Sequence, residues 1–364
     1  MEPEQKVLNG RNSVKVAVAQ TAPVYLNRQK SIDKAVTKIE QAANEGAELI
    51  TFPEAWVSGY PYWGEGWESK LEQWIPVRTR FFDNALIVGG EDSRRLENAA
   101  QDNEIHVVMG CNEMDPRPET QTIYNTLLFI DRENGILGTH RKVMPTFVER
   151  AVWGNGDGSD LITYQTDIGR IGGLICGEHL MTSIRAHMAQ QGADFHVAVF
   201  PGAFSLTKGP KLEEADPEGD EFWGYALSRA HAIETGSFVL SSCGYLTEED
   251  IPNDFPMMDS LNIDYAHGGS SIISPLATPL IRPESGDKIL YATCEANMIK
   301  LMKAIVDTAG HYQREDIVSI DFHPSPHQSV KRIIDETPRS ELRRIAQRNQ
   351  IDVEELEDVP QDSF

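Results

Sequence analysis

The chain has 364 residues, 40% hydrophobic and 24% charged, a composition suited to a globular protein with a sizeable core. Its 33 basic and 56 acidic side chains leave a net charge of −23. Such a surface repels phosphate backbones and anionic headgroups, which argues against nucleic-acid and membrane partners. No apolar stretch approaches the ~18–20 residues that span a bilayer. Residues 1–11 are polar and carry no apolar core of a secretion signal, so a cytoplasmic setting is expected. Four scattered cysteines, Cys111, Cys176, Cys243 and Cys294, do not suggest a disulfide framework. Each reads as a buried thiol or a reactive one.

In chain order, the alternating VKVAVAQ at 14–20 predicts a strand. Ile32, Ala35, Val36 and Ile39 share one helical face, Gly46 stops that helix, and 48–52 predicts a second strand. One helical region is expected over 69–102. Strands are expected at 105–110, 124–130 and 136–140, then a glycine-rich loop, WGNGDG, at 153–158. Strands at 161–166 and 171–175 lead into a helix from Leu180 to Gln191, closed by Gly192. A strand at 194–200, a loop rich in glycine, proline and acid, a helix at 220–235 and a strand at 237–242 follow. Strands at 271–274 and 288–293 and a helix at 297–307 complete the pattern. Alternation without a composition break predicts one α/β domain of layered sheets and covering helices. From 323 the chain turns proline-rich, charged and then acidic, and is expected to be a flexible or partner-contacting tail.

Cys176 ends the apolar run Ile171 to Ile175 and precedes Gly177, Glu178 and His179. A side chain at a strand-to-helix turn is presented at the carboxyl edge of a sheet, where α/β proteins build sites. A helix N-terminus there would lower the thiol pKa. A buried structural cysteine fits the local pattern equally well, and Cys243 also ends an apolar strand. A thiol nucleophile needs a base and a charge stabiliser. Glu54 follows the strand ending ITFP, and Lys142 follows the strand 136–140. The exits of neighbouring parallel strands lie on one edge, so the three positions can converge. Trp56, Tyr60, Tyr62, Trp63 and Trp67 cluster just after Glu54 among glycines and prolines, which suggests an apolar pocket wall. Zinc is disfavoured, since there is no CxxC or HExxH and His179 and His187 lie two helical turns apart. His179 reads instead as a hydrogen-bonded wall residue. WGNGDG matches no nucleotide-binding pattern.

Three segments resemble the catalytic motifs of the nitrilase superfamily of carbon–nitrogen hydrolases. They are FPEAWVSGYPYW around Glu54, HRKVMPTFVERAVWGNGDGSDL around Lys142 and GGLICGEHL around Cys176. The stretches YAHGGSSIISPLATPLIRP and ATCEANMIKLMKAIVDTAGHYQREDIV resemble the family's late strand pair and its closing helix and strand. The likeness covers 12–322, with 323–364 as the tail. It implies an α-β-β-α sandwich that dimerises to αββα–αββα, sometimes extended into spirals. It implies a Glu54–Lys142–Cys176 triad with Glu149 as a second glutamate. Tyr60, Trp63, Gly177, Glu178 and His179 are expected to contact the substrate. ERAVWGNGDGS is similar to the nitrilase branch, whose members usually read Cys-Trp-Glu where this chain has Cys176-Gly177-Glu178. The activity implied is hydrolysis of an organic nitrile to acid and ammonia through a covalent thioester, with no metal or organic cofactor. Cyanide hydration, aliphatic amide hydrolysis and a non-catalytic assembly protein are the alternatives.

Overall fold

The computed structural model describes residues 7–68, 70–203 and 222–326. Among the described residues it forms two six-stranded sheets. Strand β1 (Ser13–Gln20) lies between β12 (Lys288–Glu295), antiparallel, and β2 (Leu49–Thr51), parallel. The sheet continues through β3 (His106–Met114), β4 (Ile123–Asp131) and β5 (Gly135–Arg141). The second sheet runs in the order β11 (Pro279–Ser285), β10 (Gly268–Ile273), β9 (Phe238–Cys243), β8 (Phe195–Phe200), β7 (Gly169–Ile175) and β6 (Tyr164–Thr166). The period of two along β1 shows why the sheets stack. Val14, Val16 and Val18 enter the core between the sheets, meeting Ile171, Val197 and Leu240 of the second. Ala17 and Ala19 face the other way, under the helices α1 (Arg28–Asn44) and α3 (Glu91–Asp102). Those helices bury Ile32, Ile39 and Leu96 there, each worth about 1.5–3 kcal/mol on leaving water. Asn27 caps α1 by accepting from the Lys30 N–H. On the outer side of the second sheet, α5 (Trp223–Thr235) packs on β8 and β9, beside α4 (Thr182–Gln190). The result is the expected α-β-β-α order.

Four expectations change. The helical region at 69–102 is two helices, α2 (Leu71–Asp83) and α3, because the chain breaks around Gly89 and Gly90. The helix after Cys176 does not begin at Leu180. Residues Cys176–Leu180 make one 3₁₀ turn and α4 starts at Thr182. The strand expected at 161–166 is only its second half. β11, the second of the late strand pair, is missing from the strands expected in chain order, and has Pro279 at its first position and Pro283 within it. Prolines are tolerated there because β11 is a sheet edge. α6 (Ala296–Ile305) closes the main body, and Phe322 stacks on His187 at 3.7 Å between ring centres. From 327 onward the expected tail lies outside the described residues, as does most of the loop before α5.

Candidate active site

Glu54 leaves β2, Lys142 leaves β5 and Cys176 leaves β7. These are not neighbouring exits of one sheet. β3 and β4 separate β2 from β5, and Cys176 comes from the second sheet, so the residues converge across the sandwich. Three local devices bring them together. On β3, Gly110 leaves room for the chain before Glu54, since a Cβ there would stand 1.8 Å from the Pro53 carbonyl oxygen. On β4, Asn125 fills the gap. Its carbonyl accepts from the Lys142 N–H at 2.8 Å, and its side-chain amide donates to Glu54 Oε1 at 2.7 Å. The WGNGDG loop closes over the Lys142 exit, with the Gly156 N–H donating to the Lys142 carbonyl at 2.8 Å. Any side chain at Gly156 would meet the Arg141 carbonyl.

Lys142 is fully buried, and its ammonium donates to Glu54 Oε1 at 2.9 Å and Glu149 Oε2 at 2.7 Å. Glu149 also accepts from the Thr146 N–H at 2.6 Å and from the Tyr60 hydroxyl at 2.7 Å. Burial works against the charge on Lys142, but the two carboxylates hold its pKa well above the ordinary value. Burial raises the Glu54 carboxyl to about 7, against the pull of Lys142 and with a push from Glu149. Glu54 Oε2 is buried without a protein partner among the described residues. Cys176 sits at φ +49°, a left-handed conformation that costs a non-glycine residue about 1–3 kcal/mol and here turns its side chain off the end of β7. The thiol is buried, and that burial, with Glu54 next, holds its pKa well above the ordinary value while Lys142 opposes. This reverses the expected lowering. The element after Cys176 is one 3₁₀ turn rather than a helix, so no helix dipole offsets desolvation.

Cys176, Gly177, Glu149 and Tyr60 reach the wall of a cavity of about 480 Å³. Tyr62, Tyr265, Phe200 and Trp223 line it together with Phe147, Val148 and Leu180, and Glu65 and Asn262 also border it. Glu54 and Lys142 stand behind this wall. Three residues expected at the substrate are elsewhere. Trp63 is fully buried, edge-on to Trp74 and Phe81. Glu178 lies beneath the Cys176 turn, accepting from the Ile175 N–H at 2.6 Å, the Val143 N–H at 2.7 Å and His140 Nε2 at 2.9 Å. It thereby clamps the β7 exit to the β5 exit. Burial alone would raise its carboxyl, but these partners, His140 foremost, keep it low. His140 is itself raised to about 10 despite its burial. His179 is fully buried and bonded to the Cys176 carbonyl. Among the described residues, no three His, Cys, Asp or Glu side chains are placed to hold a metal ion together.

The family model of carbon–nitrogen hydrolases matches residues 15–304. This chain belongs to the carbon–nitrogen hydrolase family. Within it the chain falls in the nitrilase branch and hydrolyses carbon–nitrogen bonds other than peptide bonds. It is 36% identical to an aliphatic nitrilase of Rhodococcus rhodochrous over 329 residues, 88% of this chain and 82% of that one. It is 31% identical to a cyanide hydratase of Leptosphaeria maculans, over 84% of this chain and 85% of that one. The fold is that of Saccharomyces cerevisiae Nit3, a nitrilase-superfamily member, with a TM-score of 0.63 and 22% identity across 83% of this chain and 96% of that one. Reading this hydrolase's sequence alone missed Asn125, although a buried amide within the apolar IYNTLLFI needs a partner. It also missed Tyr265, Trp223 and Phe147, which no local pattern joins to Cys176.

Proposed function

We propose that this hydrolase is a nitrilase that converts an organic nitrile with a sizeable apolar substituent to its acid and ammonia. The observation that carries the proposal is the position of Cys176, in a strained turn at the wall of a 480 Å³ apolar cavity, backed by Lys142 and two carboxylates. A neutral thiol needs a base, and Glu54, raised to about 7, is matched to that task near neutral pH. In this reading Glu54 takes the thiol proton and Sγ adds to the nitrile carbon. The C–N π pair moves to nitrogen, stabilised by the third N–H of Lys142 and the Gly177 N–H, and is protonated to a thioimidate. Glu54 then activates water, and the tetrahedral adduct expels ammonia to leave a thioester. A second water releases the acid and restores the thiol. Glu149 holds Lys142. If the adduct expels thiolate instead, the product is an amide.

Cyanide is the second reading, because relatives include cyanide hydratases. Cavity size argues against it. Cyanide has two heavy atoms and needs the space of one or two waters, about 30 Å³ each, against about 480 Å³ here. A cytoplasmic setting and a homo-oligomer belong to the same proposal. Exposed Leu180 and Ile233 give apolar surface that an assembly would bury. The division into a 12–322 hydrolase domain and a 323–364 tail is likewise proposed. Ammonia, acid and amide released from phenylacetonitrile, benzonitrile, an aliphatic dinitrile and cyanide test the function. Organic nitriles should be preferred over cyanide by about tenfold or more, with the matching amides poor substrates. Preferential conversion of cyanide to formamide would overturn the proposal.

A further inference from the structure

Three buried histidines lie under the nucleophile turn, and the chemistry above uses none of them. His179 belongs to the turn, His196 to β8 and His231 to α5. His179 Nδ1 stands 3.0 Å from the Cys176 carbonyl oxygen, and its Nε2 stands 3.0 Å from His196 Nε2. The His196 and His231 rings are 3.8 Å apart between centres. These contacts assign the protons. A carbonyl only accepts, so His179 carries its hydrogen on Nδ1. Its Nε2 is then an acceptor, and His196 must donate from Nε2. His196 Nδ1, left as a lone pair, has no partner among the described residues, so no N–H is stranded there. Burial lowers His179 to about 4 and His196 and His231 well below their ordinary value, so all three are neutral near pH 7.

The oxygen that His179 holds belongs to the same peptide unit as the Gly177 N–H. In a planar trans peptide the C=O and N–H point in opposite directions, so fixing one aims the other. We infer that His179 is a positioning residue that locks the Cys176–Gly177 peptide with its N–H turned toward the cavity, and that His196 fixes the His179 tautomer that does so. This rests on the reading of Cys176 as nucleophile. The left-handed Cys176 supports it, because a strained turn needs an outside anchor to hold one orientation. The Gly177 N–H also works to lower the pKa of the Cys176 thiol, against the larger effect of burial.

The test uses the full-length protein, with Cys176→Ala alongside. His179→Leu removes the donor. His179→Asn returns an N–H at the place of Nδ1, whereas His179→Gln carries its amide to the place of Nε2. Two readouts are taken. The first is kcat and KM on phenylacetonitrile. The second is inhibition by phenylacetaldehyde. Glu54 takes the thiol proton, the Cys176 sulfur adds to the aldehyde carbon, the C=O π pair moves to oxygen, and that thiohemiacetal oxygen takes the anion's place. Losing an aligned donor of this kind costs up to ~10²–10³ in rate. His179→Leu and His179→Gln should therefore lower kcat by about 30-fold or more, with KM within about threefold and aldehyde affinity weakened in parallel. His179→Asn should recover most of both. His196→Leu should give a smaller loss of the same kind. If His179→Leu does not fold, the Asn and Gln pair carries the same comparison. Equal kcat in the Asn and Gln variants, or a loss of kcat with unchanged aldehyde affinity, overturns the inference while Cys176→Ala remains inactive. Turnover that survives Cys176→Ala overturns the underlying reading.

Discussion

Glu149→Gln should remove a charge while leaving the atoms in place. A glutamine carbonyl can stand where Oε2 meets Lys142 and the Thr146 N–H, and its amide can donate to the Tyr60 oxygen where Oε1 now accepts. What changes is the field at Glu54. Both carboxylates touch the same ammonium, at 2.9 and 2.7 Å, so the contacting oxygens are at most about 5.6 Å apart. At an effective dielectric near 20, unit charges at that separation interact by about 3 kcal/mol, or about 2 pKa units. Burial is the main reason Glu54 titrates near 7, and Glu149 adds to the rise. In the proposed reaction Glu54 must be ionised to take the thiol proton, so activity is expected above its pKa and lost below it. In kcat/KM measured from pH 4.5 to 9, the acid limb near 7 should move down by about one to two units in Glu149→Gln. A limb that stays near 7, with the rate lost at every pH, would show that Glu149 does not set the Glu54 titration and would make it a proton-transfer group.

Asn125→Leu should move the same limb upward, because its amide bond to Glu54 Oε1 lowers that pKa. It should also cost about 1.5–3 kcal/mol of stability, read by denaturant unfolding. The buried His179 makes folding acid-sensitive. Its folded pKa, about 4, lies below the ordinary 6.5, so the unfolded chain binds the proton first as pH falls. Its share of stability is intact above about 6.5 and lost toward 4, on the order of 1 kcal/mol between pH 7 and 5.5. His196 and His231 add to this with the same sign, so thermal stability should fall across that range and less so in His231→Phe. Gly177→Trp places a ring at the cavity wall, where even a Cβ comes 2.8 Å from Thr146 Oγ1. It should lower kcat/KM for phenylacetonitrile more than for a small aliphatic nitrile, by about tenfold in the ratio.

Strand β1 and helix α1 were legible because each faces the core on a clean period, Val14, Val16 and Val18 in one case and Ile32, Ala35 and Ile39 in the other. The order of the motifs was legible too. Position in space was not. Nothing in the apolar run before Cys176 says that β7 belongs to a different sheet from β2 and β5. Local pattern also misassigned direction. Glu178 and His179 sit beside Cys176 in sequence, yet the 3₁₀ turn sends both side chains under Cys176 rather than into the cavity. Trp63 falls in an aromatic cluster of which only Tyr60 and Tyr62 reach the cavity. The histidine chain was invisible for a related reason. His196 and His231 look like single polar residues in a strand and a helix until tertiary packing brings their rings together.

The proposed function requires a covalent bond between Cys176 and the nitrile carbon. Wild-type protein and Glu54→Gln, quenched in acid during turnover of phenylacetonitrile and analysed by intact mass and peptide mapping, test that bond directly. One phenylacetyl-derived adduct is expected on the peptide that holds Cys176, transient in the wild type and greatly slowed in forming in Glu54→Gln, which lacks the base for the thiol proton, and none on the peptides of Cys111, Cys243 or Cys294. Continued release of acid and ammonia with an adduct on Cys243, or with turnover intact in Cys176→Ala, would contradict it.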